Sequence, residues 1–104
     1  MFVRKDLSIP QQMCQAAHAA HEAGIHLSNK DNGISSVVVC SIPNEQELLK
    51  LHDKLIQRNI RTVTFREPDI DNQATAIATE PIGQDARRYL SCYPLWKGLS
   101  CVQS

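Results

Sequence analysis

Several features that mark large classes of protein are missing from this sequence. No apolar run approaches the roughly 20 residues that span a bilayer, and the N-terminus lacks the apolar core of a signal peptide. Eleven basic residues balance eleven acidic ones, whereas proteins with a long nucleic-acid footprint usually carry a basic excess. We therefore expect a cytoplasmic protein without a membrane partner, in which any contact with nucleic acid is confined to a small basic patch.

C-x-x-C pairs, which mark many redox and zinc sites, are also missing, although the chain has four cysteines. Cys14 and Cys40 lie within apolar helix and strand patterns, so we interpret them as small core residues in a reducing compartment. Cys92 and Cys101 lie near the C-terminus and are candidates for a disulfide, which the cytoplasmic context disfavours.

A zinc site is an alternative that the sequence leaves open. Cys14, His18 and His21 recur on one face of a predicted helix, and His26 or water would be the fourth ligand. One straight helix rarely supplies three ligands to a tetrahedral ion, because the first and last would lie roughly 10 Å apart along its axis. We therefore expect no metal and no other cofactor, and keep a redox or metal-dependent function as a third hypothesis.

The length and composition are those of one small globular domain, which we predict to span residues 1–104. The predicted elements follow the order β, α, loop, β, α, β, β, α. Strands that alternate with helices favour an α/β sandwich with a mostly parallel sheet. The short connection between Phe65 and Ala74 allows a final antiparallel pair.

The segment from Gln11 to Glu22 predicts an amphipathic helix. Ser8 and Gln11 have the spacing of a capping box, Pro10 fits the first turn, and Gly24 is a natural stop. One narrow stripe is polar and consists of Gln11, Gln15, His18 and Glu22. The opposite face is small and apolar, so we expect it to press against the sheet and to place these residues in the core: Met13, Ala16, Ala17 and Ala20.

The remaining elements follow from apolar runs and turn residues. Residues 2–4 predict a short strand, and the apolar run at 37–40 predicts a central strand covered on both faces. Strands are also predicted at 61–65 and 74–79, a short helix at about 84–90, and an extended tail at 93–96 that covers core. A second long helix is capped by Asn44 and ends near Asn59. Its buried side is predicted to consist of Leu48, Leu49, Leu51, His52, Leu55 and Ile56.

The order of several short segments resembles the archaeal and eukaryotic, or type 2, peptidyl-tRNA hydrolases over nearly the whole chain. These segments are a strand that ends in RKDL at 4–7, a helix with QAAHAA at 15–20, a Val-rich strand before Pro43, a leucine helix, the TAIA strand at 75–78 and Pro81. The resemblance implies a three-layer α/β/α sandwich around a four-stranded mixed sheet. It also implies hydrolysis of the ester between a peptide and the terminal ribose of its tRNA, without a metal or organic cofactor.

The resemblance also assigns positions, and one of them departs from the family pattern. Gln11 stands where the family has a catalytic Lys, Glu67 stands at the position of a loop Asp, and Thr75 matches a family Thr. A neutral amide does not stabilise a developing negative oxygen as an ammonium does. The chain is therefore most similar to the peptidyl-tRNA hydrolase domain-containing subgroup, which lacks the Lys and has a Glu in the loop.

We expect an aminoacyl- or peptidyl-tRNA hydrolase whose partner is peptidyl-tRNA or its 3′ end. In this hypothesis Glu67 activates water, Thr75 orients the ester or its oxyanion, and Gln11 substitutes weakly for the cation. His18 would carry a proton near neutral pH. Residues expected to bind substrate are Gln15, Arg58 and Arg61.

The polar residues of the first helix and the arginines also have purely structural interpretations. Gln15 and His18 would then bond neighbouring backbone, Gln11 would only cap its helix, and the pairs Arg58 with Arg61 and Arg87 with Arg88 would be solvated. The alternative function is a noncatalytic tRNA- or protein-binding module that kept the fold after loss of the Lys. Leu95 and Trp96 leave a homodimer open, since they serve an interface as easily as a core.

Overall fold

The computed structural model describes residues 1–27 and 37–100. In chain order the elements are β1 (Phe2–Arg4), α1 (Ile9–His26), β2 (Cys40–Ile42), α2 (Glu45–Gln57), β3 (Thr62–Glu67), a 3₁₀ turn (Pro68–Ile70), β4 (Gln73–Thr79) and α3 (Gln84–Leu90). The strands form one mixed sheet in the order β2-β1-β4-β3. Only the pair β1 and β2 is parallel, whereas β1 with β4 and β3 with β4 are antiparallel, so the expected mostly parallel sheet is wrong and the final antiparallel pair is confirmed. The predicted α/β fold with a four-stranded mixed sheet is confirmed.

Helices cover both faces of this sheet. On one face α1 packs against a small apolar cluster whose buried members are Val3, Ala19, Ala76 and Ala78. On the other face α2 and α3 bury a larger cluster, which includes Phe2, Ile42, Leu48, Leu51, Leu55, Ile77 and Leu90. In the described part of the chain, no helix is both long and apolar enough to cross a membrane.

The start of α1 is confirmed, and its predicted end is wrong. The Ser8 hydroxyl accepts from the Gln11 amide while the Gln11 side chain accepts from the Ser8 amide, which completes the capping box. The helix passes through Gly24 and ends at His26, where the Leu27 amide still donates to Ala23 O. Leu27 is buried, and the burial of such a side chain outweighs the roughly 1 kcal/mol that a helical glycine costs.

The predicted buried face of α1 is largely wrong, although Ala16 packs against the small apolar cluster as predicted. Met13 is 61% exposed, Cys14 is exposed as well, and the buried residues are Gln12, Gln15 and Ala19. Ala17 and Ala20 are likewise exposed. The two glutamines turn inward because other elements supply partners for their amides, and a satisfied polar group is cheap to bury.

The apolar run at 37–40 does not form a central strand. Strand β2 begins only at Cys40 and lies at the edge of the sheet, and Val37 is 71% exposed. The side of β2 that faces away from β1 is covered by the tail. Ser41 N donates to Pro94 O, and an isolated bridge joins Cys40 to Leu95. The tail is thus extended, as predicted, but it mainly covers the edge strand: Tyr93 packs against the larger core cluster, whereas Leu95 is 60% exposed.

Most of the predicted features of α2 are confirmed. Asn44 caps it by accepting from the Glu47 amide at 3.0 Å, and Asn59 has the left-handed backbone conformation at φ 60°. The three leucines at 48, 51 and 55 are buried, whereas Ile56 is 51% exposed and was wrongly assigned to the buried side. Ile56 follows Leu55 directly, so it points about 100° away from the leucine stripe.

Strands β3 and β4 form an antiparallel pair with one irregularity. The register passes from Phe65 opposite Ala76 to Arg66 opposite Ala74, so Thr75 is an extra residue in β4. Such a bulge turns a side chain out of the normal alternation. As a result Thr75 reaches toward α1, the same helix that packs against Ala76.

Candidate active site

Four side chains that the sequence singled out lie together where α1 crosses the paired ends of β3 and β4. They are Gln15, His18, Glu67 and Thr75. Two come from successive turns of one helix, one is the last residue of β3, and one is the bulge residue of β4. We call this group the Glu67 cluster.

The amide of Gln15 is the centre of the Glu67 cluster. Its Nε2 donates to Glu67 Oε2 at 2.9 Å, and its Oε1 accepts from Thr75 Oγ1 at 2.8 Å. The Thr75 hydroxyl has a single proton, so its 3.3 Å approach to Phe65 O is an alternative to this bond. With a donor on one side and a carboxylate on the other, the Gln15 amide has one favourable orientation.

Glu67 ends β3 and also caps the following 3₁₀ turn, where its Oε1 accepts from Asp69 N at 3.3 Å. The hydrogen bond from Gln15 is the main cause that lowers the pKa of the Glu67 carboxyl. The Asp69 amide lowers this pKa further, desolvation opposes the change, and the nearby His18 ring adds a smaller lowering when it carries a proton. Glu67 is therefore an ionised and oriented carboxylate at neutral pH. The sequence placed this residue in a loop, whereas its backbone pairs with Gln73.

His18 lies one helical turn after Gln15 on α1. Its ring stacks on the Phe65 ring with 4.5 Å between centroids and 3° between planes. The side chain is exposed to solvent, so the imidazole can exchange protons with water or with a bound molecule. Its positive form would lie close enough to Glu67 to stabilise the carboxylate.

The sequence of this chain matches a known family over most of its length. The model of the family described as Peptidyl-tRNA hydrolase PTH2 matches residues 1–87. The chain belongs to the PTH2 family. Membership supports a peptidyl-tRNA-hydrolase-like function at the level of the family, and the matched range contains all four strands and the Glu67 cluster. No curated protein matches the chain.

Thr75 and Gln11 stand at two positions that the PTH2 resemblance had assigned to catalysis. Thr75 is fully buried, and its hydroxyl donates to Gln15. Gln11 is exposed at the start of α1, and its Oε1 accepts from both the amide and the hydroxyl of Ser8 at 3.0 Å. The side-chain oxygen of Gln11 is thus used by the cap. Its side-chain nitrogen is the group that remains to donate to a ligand.

Arg58 and Arg61 lie away from the Glu67 cluster. Arg61 precedes the six residues of β3 and Glu67 ends them, so about 20 Å of strand separates the two. The Arg61 side chain donates to His26 O at 3.0 Å, and the Arg58 guanidinium carbon lies 3.5 Å from the centroid of the Tyr89 ring. Both arginines therefore have partners within the chain.

Sequence reasoning missed a buried arginine next to the site. Arg4 donates to both carboxylate oxygens of Asp6 at 2.9 and 2.8 Å, and its Nη1 donates to Gln73 Oε1 and to Ala74 O. Gln73 is the residue paired with Glu67. The signal was present in the sequence, because an arginine at the end of an apolar strand requires a carboxylate partner, and Asp6 follows two residues later.

The zinc alternative finds no support in the described part of the chain, where no group of three or more His, Cys, Asp or Glu is placed to hold a metal. The alternative Cys92–Cys101 disulfide involves residue 101, which lies outside the described residues.

An apolar cavity of about 970 Å³ opens at the opposite end of the sheet. Its walls include Phe2, Ala23, Ala78, Ile82 and Leu90. None of the residues assigned to catalysis or substrate binding from the sequence lines it. The Glu67 cluster, in which Gln15 and Thr75 are buried while His18 is exposed, is therefore separate from this cavity.

Proposed function

We propose that this PTH2-family chain hydrolyses the ester that joins a peptide or an amino acid to the terminal ribose of a tRNA. The observation that supports the proposal is the chain of hydrogen bonds from Thr75 through Gln15 to Glu67, which orients a carboxylate beside an exposed imidazole. The reaction we propose needs water and no cofactor.

In the proposed reaction the Glu67 carboxylate accepts a proton from water while the water oxygen adds to the ester carbonyl carbon. Collapse of the tetrahedral intermediate breaks the bond to the ribose oxygen, which takes a proton from Glu67 or from the His18 imidazolium. The products are a free carboxylic acid and a tRNA 3′ end. Because its lowered pKa makes Glu67 a weak base, we assign it chiefly to orienting the water.

The other residues named from the sequence take the following roles in this proposal. Thr75 is buried, so we assign it to positioning Gln15 and not to contact with the ester. Gln11 offers one neutral amide in place of the family Lys, which predicts slow chemistry. We place Arg58 and Arg61 against tRNA phosphates remote from the ester. A single domain over 1–104 and a cytoplasmic location remain part of the proposal.

Release of peptide from purified peptidyl-tRNA tests the proposal directly. Glu67→Gln removes the carboxylate that orients the water and takes its proton, so we expect turnover to fall by about 100-fold or more. Asp71→Asn is the matched control, because it removes a negative charge from the same loop and asparagine accepts the left-handed backbone found at Asp71. Equal rates for wild type and Glu67→Gln would disprove the role of Glu67.

A noncatalytic tRNA- or protein-binding module is the second candidate function. It is favoured by Gln11, whose side chain is engaged in the helix cap where the family has a cation. The variant Gln11→Lys separates the two candidates. Absence of turnover in wild type, together with turnover in Gln11→Lys, would identify a fold that kept its site and lost its activity with the Lys.

A further inference from the structure

The backbone of Ala74, just before the bulge at Thr75, is bonded by side chains. Strand β1 pairs with β4 only at Phe2 opposite Ile77 and at Val3 opposite Ala76, so this pairing stops short of Ala74. The Ala74 amide donates to Glu45 Oε2 at 2.7 Å, and Arg4 Nη1 donates to the Ala74 carbonyl at 3.0 Å. Both groups are therefore held by charged partners, which form the stronger kind of hydrogen bond.

Ala74 directly precedes Thr75, the bulge residue whose side chain reaches Gln15. In a regular strand successive side chains alternate between faces, and Thr75 departs from that alternation because it is the extra residue of the bulge. A bulge disrupts the ladder locally, so bonds from outside the ladder add to those that hold its geometry. The two side chains bonded to Ala74 supply such bonds directly before Thr75.

We infer that Glu45 is a positioning residue of the Glu67 cluster: its carboxylate holds the bulge that directs Thr75 to Gln15, and through Gln15 it orients Glu67. Glu45 is the first residue of α2, where an acidic side chain already suits the helix dipole. The dipole alone does not explain why Glu45 accepts from Ala74. Glu47 is also acidic in this turn, but its carboxylate lies 3.4 Å from Lys50 instead. The effect on turnover rests on the proposed function, whereas the effect on Glu67 does not.

Three substitutions test the inference, with Glu47→Ala as the matched control on the same helical turn. Glu45→Ala removes the acceptor, Glu45→Asp keeps the charge but is one methylene shorter, and Glu45→Gln keeps an oxygen that accepts from Ala74. The carboxyl of Glu67 is titrated by NMR, and kcat and KM are measured with peptidyl-tRNA. Thermal melts establish that each variant is folded.

We expect Glu45→Ala and Glu45→Asp to raise the pKa of Glu67 toward its ordinary range and to lower kcat by about 10-fold, with KM within about 2-fold. Glu47→Ala should resemble wild type, and Glu45→Gln should be affected much less than Glu45→Ala because its oxygen still accepts from the Ala74 amide. The direction of the pKa change is diagnostic, because loss of the Glu45 charge by itself would lower the pKa of Glu67.

An unchanged pKa of Glu67 in folded Glu45→Ala or Glu45→Asp overturns the inference. So does a Glu45→Gln variant as impaired as Glu45→Ala, since the charge and not the bond to Ala74 would then matter. A wild-type protein without turnover refutes the proposed hydrolase, and the Glu67 titration still decides whether Glu45 positions the cluster.

Discussion

The two long helices of this protein pack against the same sheet by opposite means. Helix α2 buries three leucines, whereas α1 buries Gln12, Gln15 and Ala19. Leucine is buried wherever it finds apolar neighbours, but a glutamine amide is buried at little cost only where donors and acceptors await it. The helix with the polar interior is also the one that carries the candidate site. Burial of the Gln15 amide thus contributes both to the packing of α1 and to the geometry of the candidate site.

Gln12 gives the second example of a buried amide on α1. Its Nε2 donates to Leu7 O at 2.8 Å and to Leu99 O at 3.1 Å, and its Oε1 accepts from Trp96 Nε1 at 2.7 Å. One side chain therefore joins the start of α1 to the C-terminal tail. Gln12 thus forms hydrogen bonds with residues near the C-terminus, as Gln15 does with Glu67. The leucines of α2 contribute apolar contacts and no hydrogen bonds from their side chains.

The largest expected effect lies on the leucine helix. Leu51 is buried in the larger cluster, so we expect Leu51→Ala to lower the free energy of unfolding by about 2–5 kcal/mol. Urea denaturation followed by circular dichroism measures this change. Ile56→Ala is the control on the same helix, because Ile56 is half exposed. A similar loss at both positions would mean that the two sides of α2 are not distinct.

A smaller effect is expected from the buried amide on α1. Gln12→Leu keeps the volume but leaves Leu7 O, Leu99 O and the Trp96 indole without this partner, so we expect a loss of about 1–3 kcal/mol. Trp96 is the only tryptophan, so its fluorescence reports release of the tail. The double variant with Trp96→Phe should lose less than the two single variants together. Strict additivity would contradict the coupling between the helix and the tail.

The pH dependence of stability tests the other buried amide, Gln15, because Gln15 donates to the Glu67 carboxylate. The pKa of Glu67 is lowered in the folded state, so its contribution to stability is complete above its ordinary pKa near 4 and is lost as the pH falls through the folded value. Urea midpoints measured from pH 7 to pH 3 should therefore fall more in wild type than in Glu67→Gln. Parallel curves for the two proteins would show that Gln15 does not stabilise the carboxylate.

The smallest effect is expected at Met13, which the sequence placed in the core of α1. Met13 is 61% exposed, so Met13→Ser should change the free energy of unfolding by no more than about 0.5 kcal/mol. A loss above 2 kcal/mol, measured by urea denaturation, would mean that Met13 is buried as the helical pattern predicted. The two long helices would then both pack through apolar side chains.

Features governed by near neighbours in the chain were predictable. The capping box at Ser8, the Asn44 cap, the left-handed Asn59 and the leucine stripe each depend on residues within a few positions. The same holds for α3, whose predicted bounds match the structure. The candidate site was only half predictable. The structure brings together four of the residues named from the sequence, Gln15, His18, Glu67 and Thr75, but not Arg58 and Arg61. The contacts of Phe65 and Glu45 were missed because they join separate elements.

The sequence by itself determined the order of the elements, the caps, the leucine core of α2 and the membership of the PTH2 family. Only the tertiary structure decided which face of α1 is buried, where β2 lies in the sheet, and in which direction Thr75 points. The physical reason is distance along the chain. Gln15 finds Glu67 and Thr75 at separations of 52 and 60 residues, and Gln12 finds Trp96 at a separation of 84. No local pattern contains partners that only the sheet brings together.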